Sequence, residues 1–349
     1  MSEPTIVPEA RRGDLTRLGD AFAAATDIVL TTHVNADGDG AGSEAALAAW
    51  LAARGKRVAI VNPTPFPAAY RHLITDPDQV GDPGSERAAW AIERAELFVV
   101  LDTNEPRRLG KIARAFGERP VVVIDHHPPS ESAIPGDGLR DPTACATGEL
   151  VYDLLQVIDP GIEPWPPFVA EAIYTAILTD TGSFRFANTT PRAHRIVADL
   201  IERGVDPEAV YRRLFASVPL RRIRLLQAAL GRLEADPDLP VTWITVPRAV
   251  TAELSATSED LDGIVEYARS IEGTEVALLF RETPDGATKV SLRSNGEVDV
   301  NAVARRFGGG GHVKAAGALI GMPLAVARED VLEATRAAVR ELESRREPS

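Results

Sequence analysis

The sequence predicts an α/β fold: a doubly wound parallel sheet joined by a helical linker to a smaller, mixed α/β domain. Two observations predict it. Between Asp27 and Asp125, apolar runs of strand length alternate with helix-like segments. Six chemistry-bearing side chains also sit just past apolar runs: His33, Asp37 and Asp39 after 28–30, Asp102 after 99–101, His126 after 121–124, and Asp180 after Ile177-Leu178. Short apolar runs ending in Asp read as buried parallel strands, and open α/β sheets bind ligands at the carboxyl ends of their strands. The pattern points to a metal site in one crevice.

The strands of the first domain are expected at 28–30, 58–61, 97–101 and 121–124, each rich in Val, Ile or Leu. A helix is expected over 43–54, where Ala and Leu dominate after a glycine-rich turn and Gly55 stands where a C-terminal cap belongs. Further helices are expected over 168–178 and over 191–203, with Pro191 in the first turn and Gly204 at the end. From 206 to 233 the chain is rich in Arg and Leu at helical spacing, with no strand pattern, and Asp236-Pro237-Asp238 marks a break. Strands follow at 241–246, 275–280 and 288–293, the last two joined by a turn at Thr283-Pro284-Asp285-Gly286. Helices are expected over 301–306 and 328–343, with a charged, frayed tail from Glu341. The domain boundaries read as 12–200, a linker over 201–238, and 239–345.

At 349 residues and 44% hydrophobic, the chain is long enough for two cores. Its 51 Asp and Glu against 38 Lys and Arg give a net charge of −13, which argues against a long electrostatic grip on duplex nucleic acid but leaves room for a local nucleotide pocket. The single Cys145 can form neither an internal disulfide nor a cysteine metal cluster, so the expected setting is the reducing cytoplasm and any metal must be held by oxygen and nitrogen. No secretory signal or membrane segment is read: 315–327 is too short and is broken by Gly317, Gly321 and Pro323.

In the segment 32–43 one imidazole and two carboxylates share a loop whose glycines permit sharp turns, so it can wrap a cation; Asp37 to Gly40 could equally serve as turn and cap residues. Asp125-His126-His127 then follows four β-branched residues, and adjacent histidines at a strand end each need a polar partner. An oxygen and imidazole donor set suits Mn²⁺, or Mg²⁺ with poorer affinity for the histidines. In the second domain the run Gly308 to Gly311 exposes consecutive N–H groups that can cradle an anion, His312 adds a donor, and Arg293 beside Ser294 offers a fork for phosphate.

Taken together, His33-Val34-Asn35-Ala36-Asp37-Gly38-Asp39, Asp102, Asp125-His126-His127 and Thr179-Asp180-Thr181-Gly182-Ser183-Phe184 resemble the four motifs of the DHH phosphoesterase superfamily. The run 307–317 resembles the signature of its associated DHHA1 domain, and the likeness covers nearly the whole chain, within the branch that contains oligoribonucleases and pAp phosphatases. The resemblance implies two Mn²⁺ per chain, with Mg²⁺ or Co²⁺ as substitutes. One would be held by His33, Asp37 and Asp102, the other by Asp39, Asp102, His126 and Asp180. It further implies that Asp125 orients an imidazole, that His127 lies at the substrate phosphate, and that Arg293, Ser294, Gly309, Gly310, Gly311 and His312 contact substrate. Ala36 stands where many members carry Pro, a change in loop stiffness rather than ligation.

The expected activity is hydrolysis of short nucleotides: oligoribonucleotides of a few residues, pAp, and linear or cyclic dinucleotides. Two adjacent divalent ions activate water and polarise phosphoryl oxygens. His127, the titratable motif residue not needed as a ligand, is the candidate for stabilising the phosphorane or protonating the leaving oxygen. Three rivals stay open: a pyrophosphatase or exopolyphosphatase, a single-strand DNA exonuclease, for which the chain lacks spare length and basic charge, and a non-catalytic nucleotide sensor. A homodimer is usual among similar proteins. The apolar linker residues Leu214, Phe215, Val218, Leu220, Ile223, Leu226 and Leu230 fit either that contact or packing between the domains. Arg107-Arg108 and Arg305-Arg306 read as solvated charge or phosphate contacts, and His72 and His194 as structural.

Overall fold

The computed structural model describes residues 6–130, 132–160, 164–257 and 259–346. The chain divides into two compact units, one through Ala216 and the other from Ser217.

In the first unit α1 (Glu9–Ala24) precedes β1 (Asp27–Thr31), α2 (Gly38–Ala52), β2 (Arg57–Val61) and β3 (Val80–Gly81). Then come α3 (Glu86–Arg94), β4 (Leu97–Leu101), α4 (Ile112–Ala115), β5 (Val121–Asp125) and β6 (Asp137–Arg140). The unit ends with α5 (Thr147–Ile158), α6 (Val169–Asp180), α7 (Pro191–Glu202) and α8 (Pro207–Phe215). The six strands form one sheet in the order β3-β2-β1-β4-β5-β6, every pairing parallel. Apolar side chains cover both faces: Leu30, Trp50, Val99 and Leu154 belong to one core, Val29, Phe98, Val100 and Val123 to another. The strand order reverses between β1 and β4, which opens a crevice beyond their carboxyl ends.

Helix α2 begins at Gly38, five residues before the sequence suggests. Low glycine propensity hides the start, but the Asp37 carboxylate caps it by accepting from the N–H groups of Asp39 and Gly40, so Asp39 lies in the first turn. Asp180 closes α6, which carries the helix expected over 168–178 two residues further.

In the second unit α9 (Leu220–Leu230), β7 (Leu233–Ala235), β8 (Val241–Val246), α10 (Arg248–Glu253) and α11 (Ile264–Arg269) lead to β9 (Val276–Glu282) and β10 (Thr288–Ser294). α12 (Val300–Arg305), β11 (Gly310–His312), β12 (Ala315–Ile320) and α13 (Leu324–Arg346) complete it. The sheet order is β11-β12-β10-β9-β8-β7, mixed because β8 and β9 run parallel and the other pairs antiparallel. Two expectations are corrected here. Leu233–Ala235 is a strand, held by pairing with β8 although all three residues are exposed, and the charged segment from Glu341 continues α13 to Arg346. Among the described residues no helix is long and apolar enough to cross a membrane.

Candidate metal centre

Loops leaving β1, β4 and β5 deliver four of the six expected ligands, the first turn of α2 brings Asp39, and the end of α6 brings Asp180. Their donor atoms fall into overlapping groups: His33, Asp37 and Asp102; Asp39, His126 and Asp180; and Asp102 with His126 and His127. His33 Nε2 lies 3.7 Å from Asp37 Oδ2 and 3.4 Å from Asp102 Oδ2. His126 Nε2 is 3.6 Å from a carboxylate oxygen of each of Asp39, Asp102 and Asp180. Such spacings are long for hydrogen bonds and come within a few tenths of an ångström of donors about 2.1 Å from a shared cation, which stand roughly 3–3.5 Å apart. Asp102 faces both imidazoles, as a bridging ligand must.

The buried donors fit a cation in three further respects. His33 Nε2 is buried without a hydrogen-bond partner. Both imidazoles are turned by a carbonyl that accepts from Nδ1, Val34 O at 2.9 Å for His33 and Ala144 O at 3.4 Å for His126, which leaves Nε2 free to ligate. Finally, burial and then the charges of Asp102, Asp180 and Asp37 push the Asp39 carboxyl well up, and burial raises Asp180 to about 6 with Asp102 and Asp37 adding to it. Carboxylates that repel one another this way need a positive charge among them. For His33 burial pulls the imidazole down, yet the facing carboxylates of Asp102 and Asp37 prevail and raise it to about 10.

His127 is placed differently. Its Nδ1 donates to Asp125 Oδ1 at 2.7 Å and lies 3.7 Å from Asp102, and its ring is partly open to solvent. Asp125 is fully buried at the end of β5.

Backbone strain gathers around these residues. Asn35 (φ 55°), Asp102 (φ 61°), Ser183 (φ 58°) and Phe184 (φ 64°) are left-handed, a conformation that costs about 1–3 kcal/mol for each such residue. Residues the sequence did not single out hold the centre together. The N-terminus of α5 donates Thr147 N to Asp39 Oδ2 at 2.7 Å and Gly148 N to Asp39 Oδ1 at 2.9 Å, while Thr147 Oγ1 donates to Asp102 Oδ1 at 3.0 Å. Thr-Gly-Glu ahead of an apolar helical pattern was the available signal. Asn188 Nδ2 donates to Asp180 Oδ2 at 3.1 Å.

In the second unit, β-sheet register brings two distant residues into one row: Ala315 pairs with Arg293 on one side and with His312 on the other. Arg293 and His312 therefore share a sheet face two strands, or about 10 Å, apart. Arg293 is not a free fork, since its Nε donates to Glu266 Oε1 at 2.9 Å. Ser294 Oγ and Asn301 Oδ1 are buried without partners. Gly310 and Gly311 lie in β11 with Gly309 just before it: a Cβ on Gly309 would stand 2.2 Å from Gly317 O, and Gly311 has φ 148°. Arg107 is ion-paired with Glu105, and Arg305 and Arg306 are exposed.

The DHH family, N-terminal domain, matches residues 27–177, and the DHHA1 domain matches 245–342. The bifunctional oligoribonuclease and PAP phosphatase NrnA of Thermus thermophilus is 35% identical over 94% of this chain and 96% of its own length. The cyclic-di-AMP phosphodiesterase GdpP of Geobacillus thermodenitrificans is 30% identical over 67% of this chain but only 34% of its own. Among solved structures, an exopolyphosphatase-related protein of Bacteroides fragilis superposes with a TM-score of 0.84 at 25% identity, covering 95% of this chain and 96% of that one. With both domain matches in order, every motif ligand drawn to one crevice and a full-length relative at this identity, the chain belongs to the DHH phosphoesterase family and carries its DHHA1 domain.

Proposed function

We propose that this chain is a Mn²⁺-dependent hydrolase of short nucleotides, releasing mononucleotides from oligoribonucleotides of a few residues, from pAp and from dinucleotides. The observation that carries the reading is the convergence of His33, Asp37, Asp39, Asp102, His126 and Asp180 into two ligand groups that share Asp102. Two ions held there supply an activated water and polarised phosphoryl oxygens. The chain's own residues do the rest. Thr147 and Gly148 lock Asp39, Thr147 locks Asp102, and Asp125 fixes the His127 ring and favours its protonated form, as needed to pass a proton to the leaving oxygen.

Nucleotides are favoured over polyphosphate by the full-length likeness to NrnA and by the second unit, whose Arg293, Ser294, Gly309 to Gly311 and His312 are assigned to substrate. The likeness to GdpP extends the candidate substrates to cyclic dinucleotides. Leu220 and Ile223 of α9, exposed apolar side chains, support a homodimer, and the buried, unbridged Cys145 agrees with a cytoplasmic setting.

The test is product release with Mn²⁺ from a short RNA, pAp, a cyclic dinucleotide and polyphosphate, comparing wild type with Asp102→Ala. Mononucleotide or AMP release that is lost in the variant is the expected result. Activity on polyphosphate alone would transfer the function to the exopolyphosphatase class, and no turnover on any substrate would leave a nucleotide sensor.

A further inference from the structure

Asp37 and Asp180, one from each ligand group, also line a cavity of about 230 Å³ whose other walls include Tyr70, Ser183, Arg185 and Phe215. Its lining combines two carboxylates with two aromatic rings, hydroxyls and a guanidinium.

Each of these side chains is presented by its local structure. Tyr70 lies in a 3₁₀ turn, Ala68–Leu73, between β2 and β3, and burial together with the charge of Asp37 pushes its hydroxyl up to about 12, so it is a neutral donor. Phe215 ends α8 with 44% of its surface exposed, a large ring left facing water. Gly182, Ser183 and Phe184 form three consecutive left-handed residues, with φ of 56°, 58° and 64°. Ser183 N donates to Leu178 O at 2.8 Å, Arg185 N to Thr181 O at 2.9 Å, and the Phe184 ring packs on Tyr174 and His194. The loop is thereby pinned with Ser183 and Arg185 on the cavity wall. Arg185 Nε donates to Gly182 O at 2.7 Å, and its guanidinium has no ion pair among the described residues.

We propose that this cavity is a nucleoside subsite of the first unit: a base packs on Tyr70 and Phe215, and Arg185 with Ser183 holds the sugar and phosphate that reach Asp37 and Asp180. The inference rests on the phosphoesterase reading above and adds a source of selectivity to it. Every base has a π-face, so an aromatic wall holds nucleotides with little sequence preference. Inorganic polyphosphate has no such face and gains only from the guanidinium. A cavity of this composition beside the metal ligands thus separates nucleotides from polyphosphate.

Two measurements on the full chain loaded with Mn²⁺ test it. Calorimetry gives the affinities for AMP, ribose 5-phosphate and inorganic phosphate, and nitrophenol release from bis(p-nitrophenyl) phosphate, alongside cleavage of a diadenylate, reports the metal centre. Wild type is expected to bind AMP about tenfold tighter than ribose 5-phosphate, within the lower half of the range for one base on an aromatic ring. Phe215→Ala and Tyr70→Leu bring that ratio below about threefold and leave phosphate binding intact; Tyr70→Phe, which keeps the ring, retains it. Arg185→Ala weakens all three ligands. A ratio near one in wild type, or one that survives both aromatic substitutions, overturns the subsite while hydrolysis continues and the phosphoesterase reading stands. Absence of Mn²⁺-dependent hydrolysis of either substrate by wild type overturns both.

Discussion

Asp125 Oδ1 accepts a 2.7 Å hydrogen bond from His127 Nδ1, and this contact favours the protonated form of the one motif imidazole that is not among the six expected ligands. The hydrogen bond raises the His127 pKa, burial opposes it, the charges of Asp102 and Asp125 reinforce it, and Arg108 works against it. Because the pKa is raised, the protonated ring persists to higher pH, and a rate that needs it falls as pH rises through the raised value. Asp125→Asn is expected to move this alkaline limb to lower pH and to reduce kcat about 10–100-fold. A pH profile of kcat for both proteins checks it, and an alkaline limb that stays in place would remove His127 from the role of acid.

Metal binding must displace protons. His33, raised to about 10, carries a charge at neutral pH in the metal-free protein, and a ligating imidazole must be neutral. Below neutral pH the Asp180 carboxyl, raised to about 6, adds a second competing proton. Calorimetric titration of Mn²⁺ at pH 7 in buffers of different ionisation enthalpy is expected to show release of about one proton per chain, and the affinity to weaken about tenfold per pH unit for each proton displaced. At 100 times its Kd the ion should stabilise the fold by about 2.7 kcal/mol, a gain absent in Asp102→Ala. Proton-neutral binding would contradict the assignment of His33 as a ligand.

The two predictions above rest on residues that were legible in the sequence, because β-branched runs announce β1, β4 and β5 and the ligands follow within a few positions. The supporting groups were not. Thr147 and Gly148 act on Asp39 through backbone N–H donors, which every residue but proline carries, so Thr-Gly-Glu marks a helix start without marking its contact with Asp39. β3 and β7, of two and three residues, are too short to show a period and exist because a neighbouring strand pairs with them. The run Gly308 to Gly311 is legible as a row of N–H donors, but the packing of Gly309 against Gly317 depends on strand pairing that no local pattern shows. Arg293 was visible as a charge, but its pairing with Glu266 depends on tertiary placement of α11.

Glu44, on α2 and fully buried, accepts from Asn62 Nδ2 at 2.8 Å through Oε2, while Oε1 has no partner. Burial raises its pKa to about 8, with Asn62 and His33 opposing. For an acid whose folded pKa is raised, stability is fully present below the unfolded value near 4.5 and declines as pH rises to the folded value. Glu44→Gln keeps an acceptor for Asn62 and removes the charge. It is expected to stabilise the metal-free protein by about 1–3 kcal/mol at pH 7–8 and by little at pH 5. Urea unfolding of both proteins at the two pH values checks this, and a gain independent of pH would mean that the Glu44 carboxyl titrates alike in the folded and unfolded chain.

Arg11 is buried on α1 and holds three carboxylates, Asp141 at 2.6 Å and Glu149 and Asp153 at 2.7 Å each. Arg192 also reaches Glu149, at 3.1 Å, and bonds Asp153. Glu149 in turn accepts from Cys145 N at 3.1 Å, two residues before the Thr147 and Gly148 donors that hold Asp39. Arg11→Ala leaves Glu149 and Asp153 buried with Arg192 as their remaining cation in this network, and breaking such a cluster costs about 3–5 kcal/mol. Because the same change releases the entry to α5, it is expected to weaken Mn²⁺ binding as well, beyond what equal destabilisation elsewhere does. Leu292→Ala, which empties a fully buried site in the second unit, has a comparable stability cost of about 2–5 kcal/mol and serves as the comparison. Urea unfolding matches the two variants for stability and calorimetry compares their Mn²⁺ affinities. Equal affinities would show that the Arg11 cluster stabilises the fold without positioning Asp39.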